Sequence, residues 1–262
     1  MRIAVNDTQI NYEMTGRPDG QAVMLSHSLA TSLELWTPQM AALEPHYRVV
    51  RYDTRGHGDS DVPPGPYSLE QMADDAAGLM DALGIGAVHF VGISMGGIIG
   101  QILALRHPER LRSLVLSDTT ATIPADAQPA WQERIEAVRR EGMQAVVTAT
   151  LERWFTDAYR EPMPPEVKRI RDLILSTPPE GFIACSEAIR SLDCLEWLRE
   201  VDTPALILVG EKDPGTPVAD SEAIHGRIHD SKLKVIPSAA HLCNVEQADV
   251  FNDLLLRFLQ GH

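Results

Sequence analysis

Cysteine is scarce in this chain. Its 262 residues include only Cys185, Cys194 and Cys243. An odd set of three, with no Cys-x-x-Cys spacing, supplies neither a disulfide framework nor a cysteine-based zinc site. Free thiols in a reducing cytoplasm are expected. Positive charge is also in deficit, with 23 Lys and Arg against 37 Asp and Glu and a formal net charge of −14. Such a surface speaks against nucleic acid and anionic membranes as partners. No apolar run approaches the roughly 18 residues that would span a bilayer. The opening Met1-Arg2-Ile3-Ala4-Val5 has no apolar signal region, so a cytoplasmic location is expected. Internal repeats and low-complexity segments are missing as well.

What is present is apolar sequence in regular blocks. Hydrophobic residues make up 44% of the chain, ample for one large α/β core that carries an insertion. Ile3 to Val5 and Ile10 to Met14, around Asn6-Asp7-Thr8, read as an N-terminal hairpin. Ala22 to Ser26 is a short continuous apolar run, as in a strand buried on both faces. Tyr47 to Tyr52 is the next strand. Ser68 to Leu83 has helical spacing, with Ser68 as N-cap. Ala87 to Val91, a helix from Gly97 to about Arg106, and the strand Leu111 to Leu116 continue the alternation. This order predicts a mostly parallel sheet covered by helices on both faces.

The alternation stops near Thr119 and returns with the strands Pro204 to Val209 and Leu233 to Ile236, followed by a helix from about Asn244 to Leu259. Between them the sequence is helical throughout, with four helices fitting roughly Gln128 to Glu141, Met143 to Phe155, Glu166 to Ser176 and Glu180 to Cys194. The expected organisation is a core of residues 1–122 and 199–262, with residues 123–198 inserted as a helical cap after the sixth strand.

The pentapeptide Gly92-Ile93-Ser94-Met95-Gly96 lies between a strand and a helix. Its outer glycines leave room for a tight turn that strains Ser94 and exposes its hydroxyl, while the helix start directs amide N–H groups beside it. In that context Ser94 reads as a nucleophile rather than as part of a linking turn. A serine hydroxyl needs a histidine to take its proton and a carboxylate to orient that histidine. In a parallel sheet these groups gather at the carboxyl ends of strands. Asp213 follows one late strand through Gly210-Glu211-Lys212, and His241 follows the last through Pro237 to Ala240. The order Ser94, Asp213, His241 is the one used by α/β-hydrolases.

Competing groups have simpler roles. His107 precedes Pro108 at a helix end, His225 and His229 read as an exposed helix, His46 as a loop and His262 as the terminus. His89 reads as a core residue, and His27 and His57 as structural loop residues near the site. Asp118 also ends a strand and competes with Asp213. Asp213 is preferred because it ends a short Gly-x-x-Asp run directly after its strand. Two backbone N–H groups, those of Met95 and Leu29, are the candidates for holding the oxyanion.

These residues resemble the α/β-hydrolase fold superfamily. Arg51-Tyr52-Asp53-Thr54-Arg55-Gly56-His57-Gly58-Asp59-Ser60 is similar to a loop of many members in which the arginine and aspartate brace the turn near the nucleophile. Leu33-Glu34-Leu35-Trp36, Gly65-Pro66-Tyr67-Ser68, Glu141-Gly142-Met143 and Ala240-His241-Leu242-Cys243-Asn244-Val245-Glu246 resemble, more narrowly, the 3-oxoadipate enol-lactonases of the β-ketoadipate pathway, over almost the whole chain. Many superfamily members have His-Gly after the third strand, where this chain has His27-Ser28.

The resemblance implies an eight-stranded α/β-hydrolase fold and hydrolysis of a five-membered enol-lactone with an acetate arm, through an acyl-enzyme and with no metal or organic cofactor. An anionic substrate approaching a chain of charge −14 needs a local cation. Trp131 and Arg134, three residues apart on one helix face, offer a ring and a guanidinium. The alternative is an ordinary amphipathic helix with Trp131 in the core and Arg134 in water. Rival activities on the same residues are a general carboxylesterase, a carbon–carbon bond hydrolase, a haloperoxidase side reaction, or a ligand receptor without catalysis.

Overall fold

A computed structural model describes all residues, 1–262. The chain opens with β1 (Arg2–Val5) and β2 (Thr8–Gly16), an antiparallel hairpin in which Val5 pairs with Thr8 across Asn6-Asp7. Thr8, taken from the sequence as part of the turn, is therefore in the strand, and β2 runs two residues beyond Met14. Then follow β3 (Ala22–Ser26), α1 (Thr37–Leu43), β4 (Arg48–Tyr52), α2 (Leu69–Ala82), β5 (Val88–Ile93), α3 (Met95–Arg106) and β6 (Leu111–Ser117). The Ser68 hydroxyl accepts from the Gln71 N–H at 3.1 Å, so the predicted N-cap starts α2.

Five helices come next: α4 (Gln128–Glu141), α5 (Val147–Trp154), α6 (Asp157–Arg160), α7 (Pro165–Ser176) and α8 (Pro179–Arg190). The chain ends with β7 (Ala205–Gly210), α9 (Val218–His225), β8 (Ser231–Ile236), α10 (Cys243–Glu246) and α11 (Ala248–Leu259). No helix is long and apolar enough to cross a membrane.

The eight strands form one sheet in the order β1-β2-β4-β3-β5-β6-β7-β8. Only the pairings of β2, with β1 and with β4, are antiparallel; the other five are parallel. Every residue of β3, β5 and β7 is buried. Side chains on a strand alternate between faces, so burial at every position requires cover on both. The edge strands β1 and β8 instead mix exposed and buried positions.

Several helix boundaries differ from the sequence reading, among them the end of α8 at Arg190 rather than Cys194. The segment 143–155 is a 3-10 turn, Met143–Ala145, followed by α5, and α6 is an added short helix before the Pro162–Pro165 cluster. The expected last helix is broken at Gln247, whose φ of −125° and ψ of 50° are not helical. The apolar spacing runs on through Val245, Phe251, Leu255 and Phe258, so periodicity alone could not reveal this break. The break leaves the Glu246 carboxylate turned inward, where it accepts from the Ala240 N–H at 3.0 Å and from the Thr156 hydroxyl. His229 lies beyond the end of α9 rather than on it.

The inserted helices are drawn together where they leave and rejoin the sheet. Ile123 N–H donates to the Leu192 carbonyl and Cys194 N–H to the Ala121 carbonyl, at 3.0 and 2.9 Å. One hydrophobic cluster runs from Ile10 and Val91 in the sheet to Val138, Trp154 and Phe182 in the insertion. The insertion is therefore packed onto the sheet by the same apolar burial that holds the sheet itself.

Candidate active site

The Gly92–Gly96 turn joins β5 to α3. Ser94 at its apex has φ 55° and ψ −116°, a backbone state that costs a non-glycine residue on the order of 1–3 kcal/mol. Neighbouring groups hold it there. Ser94 N–H donates to the Ser117 carbonyl at 2.9 Å, and Thr119 Oγ1 donates to the Ser94 carbonyl at 2.9 Å. A Cβ on Gly96 would collide with the Ser26 carbonyl, and one on Gly92 with the Gly96 carbonyl. Both glycines are thus required by close backbone approach.

Strand order brings the remaining groups to Ser94. Leu29 follows β3, Asp118 follows β6, Asp213 follows β7 and His241 follows β8, all at the carboxyl edge of the sheet. His241 Nε2 stands 2.9 Å from Ser94 Oγ, and His241 Nδ1 stands 2.7 Å from Asp213 Oδ2. The consistent tautomer has Nδ1–H donating to Asp213 and Nε2 accepting from the serine hydroxyl. Asp213 is fixed in turn by the N–H groups of Gly215 and Thr216 at 2.7 and 3.1 Å, and by the Thr216 hydroxyl at 2.6 Å.

Burial opposes charge on both partners, but each favours the ionised form of the other. The His241 pKa is raised, because burial, which lowers it, is outweighed by the adjacent Asp213 carboxylate. The Asp213 pKa is lowered, because burial, which raises it, is outweighed by His241 and the donors of the Thr216 turn. Asp118, the competing carboxylate, does not bond His241. It accepts instead from Gly210 N–H at 2.7 Å, Ser117 Oγ at 2.8 Å and Cys243 Sγ at 2.8 Å.

The N–H groups of Leu29 and Met95 have no acceptor within the chain, and both residues border the cavity in front of Ser94. The loop carrying Leu29 is held by two fully buried histidines. His27 Nε2 accepts from Thr54 N–H at 3.0 Å, and His57 Nε2 accepts from Ala30 N–H at 3.1 Å. Ala30, with φ 63°, is the left-handed residue of this loop, while Ser28 leaves its buried hydroxyl without a partner. The neighbouring loop is braced by Asp53, which accepts from Leu33 N–H at 2.7 Å and Asp59 N–H at 2.9 Å. Arg55 pairs with Asp75, Nε to Oδ2, at 2.5 Å.

The cavity measures about 450 Å³ and lies between this edge of the sheet and the inserted helices. From α4 it is bordered by Trp131 and Arg134, and from α5 by Arg153 and Trp154. The Trp154 ring stacks on His241 with centroids 6.3 Å apart, and Leu242 N–H donates to the Trp154 carbonyl at 3.1 Å. Trp154 is therefore both packed against the core and at the site.

Arg134 lies over the Phe182 and Trp131 rings, 5.0 and 5.6 Å from their centroids. Its one hydrogen bond goes to Thr150 Oγ1 at 3.3 Å, its Nε has no partner, and no carboxylate pairs with it. Burial and the nearby Arg153 lower its pKa to about 9. The helix face of Trp131 and Arg134 thus points to the cavity, which excludes the alternative of a guanidinium in open water. No group of three or more His, Cys, Asp or Glu side chains forms a cluster that could hold a metal ion.

Sequence reasoning missed Arg153, Thr216 and the Cys243–Asp118 bond. Thr216 had a local signal, since Asp213-Pro214-Gly215-Thr216 is a turn in which an aspartate captures the next amides. Arg153 had none, because nothing in the spacing of α5 distinguishes it from a solvated arginine.

The same architecture occurs in known proteins. The family model described as alpha/beta hydrolase fold matches residues 21–248. 3-Oxoadipate enol-lactonase 2 of Acinetobacter baylyi is 38% identical over 250 residues, covering 95% of this chain and 92% of that protein. The crystal structure of the enol-lactonase from Burkholderia xenovorans superposes with a TM-score of 0.96 at 38% identity, over 99% of this chain and 100% of that one. A malate-bound thermophilic esterase from Thermogutta terrifontis superposes at 0.94 with 32% identity, over 100% and 98%. By fold, family match and near-complete coverage, this chain belongs to the α/β-hydrolase fold family.

Proposed function

We propose that this protein is a serine hydrolase that opens 3-oxoadipate enol-lactone to 3-oxoadipate, a step in the degradation of aromatic compounds through the β-ketoadipate pathway in the cytoplasm. The observation that carries this reading beyond ester hydrolysis in general is Arg134. A half-buried guanidinium, its Nε shielded from solvent and without a carboxylate partner, borders the same cavity as Ser94. Such a cation is costly unless an anion completes it. The acetate arm of the lactone is that anion, and Trp131 offers a face for the ring. The 38% identity to 3-oxoadipate enol-lactonases over nearly the whole chain supports the same substrate.

In this reading residues 123–198 form the cap that supplies the carboxylate site, and residues 1–122 with 199–262 supply the chemistry. Ser94 Oγ attacks the ring carbonyl while His241 Nε2 takes its proton, and Asp213 stabilises the imidazolium. The Leu29 and Met95 N–H groups hold the oxyanion. Collapse breaks the ring C–O bond, and the enol oxygen leaves with the proton from His241. An enol is less basic than an alkoxide, so this departure needs little acid assistance. The enol becomes a ketone, which removes the nucleophile that could close the ring again. His241 then activates water to release the acyl group from Ser94.

The test compares turnover of the acidic enol-lactone with that of a neutral aryl ester of similar size. A kcat/KM for the lactone at least about 100-fold higher, with that preference lost in Arg134→Ala, is expected from one charge-assisted pairing. Equal rates on the two substrates, unchanged by the substitution, would make the protein a general carboxylesterase instead.

A further inference from the structure

Asp118 is an ionisable side chain at the site that the reaction above does not use. It is fully buried, directly follows β6 and has φ 42°, a left-handed state that aspartate adopts more readily than most residues. The sheet places it between the strand that leads to Ser94 and the strand that leads to Asp213. One carboxylate oxygen accepts from Gly210 N–H at 2.7 Å, three residues before Asp213. The other accepts from Cys243 Sγ at 2.8 Å, two residues after His241, and from Ser117 Oγ at 2.8 Å. We propose that Asp118 is a positioning residue for the reaction: a second carboxylate that ties the Asp213 loop to the His241 loop and favours the imidazolium from behind.

The proposal rests on the assignment of Ser94 and His241 as the reacting pair. All three contacts of the Asp118 carboxylate are donors, from backbone, hydroxyl and thiol, so its ionised form is fully satisfied without a cation. A group needed only to fill space would not require three donors. The charged and titratable groups around it are Asp213, His241 and Cys243. Those facing His241 are Asp213, Asp118 and Arg153. Burial, and then Asp213, raise Asp118 to about 7, and Asp118 itself helps to raise His241. Cys243 is held as a thiol, because burial and the adjacent Asp118 both disfavour a thiolate. It therefore acts as donor to the carboxylate and not as a nucleophile.

The experiment uses the full chain and a neutral aryl ester, so that carboxylate recognition at the cap does not enter. In Asp118→Asn the amide presents N–H where Cys243 and Ser117 need an acceptor. The expected result is a fall in kcat of about tenfold with KM nearly unchanged, the pattern of a lost transition-state effect. The acid limb of its pH–rate profile moves to lower pH, because the imidazolium loses a negative neighbour. Cys243→Ala, which keeps the carboxylate but removes one tether, lowers kcat by a smaller factor, and Cys243→Ser, which restores a donor, recovers it. Wild-type kcat and an unmoved acid limb in Asp118→Asn would overturn the proposal. Should that variant not fold, wild-type kcat in Cys243→Ala would overturn it equally. Ser94→Ala in the same assay separates the two levels: full activity there defeats the catalytic assignment, whereas loss there with an unaffected Asp118→Asn defeats only the role of Asp118.

Discussion

His241 Nε2 lies 2.9 Å from Ser94 Oγ, although 147 residues separate them in the chain. The contact is made by strands rather than by sequence neighbourhood: β5 ends just before Ser94, β8 leads to His241, and β6 and β7 lie between them. The pair is further fixed from above, where Trp154 of α5 stacks on the imidazole. A hydroxyl already bonded to an oriented base needs little rearrangement to become a nucleophile.

Replacing either member is expected to remove activity without unfolding the chain. Ser94→Ala or His241→Ala should lower kcat by on the order of 10³–10⁶. Circular dichroism should be unchanged, and a serine-directed phosphonate should label the wild type but not Ser94→Ala. Labelling elsewhere in the folded protein would point to another nucleophile.

The pH dependence follows from the pair of shifts at the site. His241 must be neutral to accept the serine proton, and its pKa is raised above 6.5. Measured kcat/KM should therefore fall as pH drops through a pKa above 6.5, with Asp213 already ionised there. Asp213→Asn removes the main cause of the elevation and should lower kcat by on the order of 10³–10⁴, as expected for a misoriented imidazole. An acid limb well below 6.5 in the wild type would contradict the His241 assignment.

Arg134 separates function from stability. Arg134→Met keeps the volume of the side chain and removes a half-buried charge that has no carboxylate partner. Relative to wild type, Tm should rise by about 2–4 °C, a gain of about 1 kcal/mol. The same variant should raise KM for the acidic lactone by about 10–100-fold, the value of a charge-assisted pair. A lower Tm would mean that the guanidinium is satisfied within the protein.

Acid should destabilise the fold through His27 and His57. Both accept a backbone N–H, from Thr54 and Ala30, and burial lowers both pKa values, that of His57 to about 3. An unfolded histidine binds a proton below 6.5, so the stabilisation is complete above that pH and lost as pH falls. His57 should contribute a slope of up to about 1.4 kcal/mol per pH unit below it, and His27 a slope of the same sign. Below 6.5 His241 does not offset this, but Asp118, raised by burial to about 7, gains a proton in the folded state as pH falls and cancels about one of the two slopes. Urea midpoints measured from pH 7 to 5 should show the slope, and His57→Gln, which can still accept from Ala30, should reduce it by one proton.

The brace behind the loop that carries Leu29 can be tested by stability alone. Arg55 and Asp75 have side chains 1% and 2% exposed and are joined by two hydrogen bonds of 2.5 and 2.8 Å. Asp75→Asn leaves the guanidinium short of a counter-charge in the core and should cost about 3–5 kcal/mol in urea unfolding. A loss below about 1 kcal/mol, as for an exposed pair, would show that Asp7, whose carboxylate also accepts from Arg55 at 2.8 Å, alone suffices.

The sequence by itself determined the elements whose causes are local. The strained turn at Ser94 is written in Gly92 and Gly96, whose missing side chains permit contacts with neighbouring carbonyls. Apolar runs such as Ala22 to Ser26 and Ala205 to Val209 specified buried strands, and the Asp213-Pro214-Gly215-Thr216 turn held a signal for its own hydrogen bonds. Tertiary structure decided what depends on direction rather than periodicity. Asp118 and Asp213 both end strands, and only the packing of β7 and of the Cys243 turn determines which carboxylate reaches His241 and which ties the loops. The break at Gln247 is hidden in an unbroken apolar stripe, and Arg153 reads like any solvated arginine until α5 places it beside Arg134. Periodicity records which face of an element is buried; where a polar side chain on that element finds its partner is set by chain segments far away in sequence.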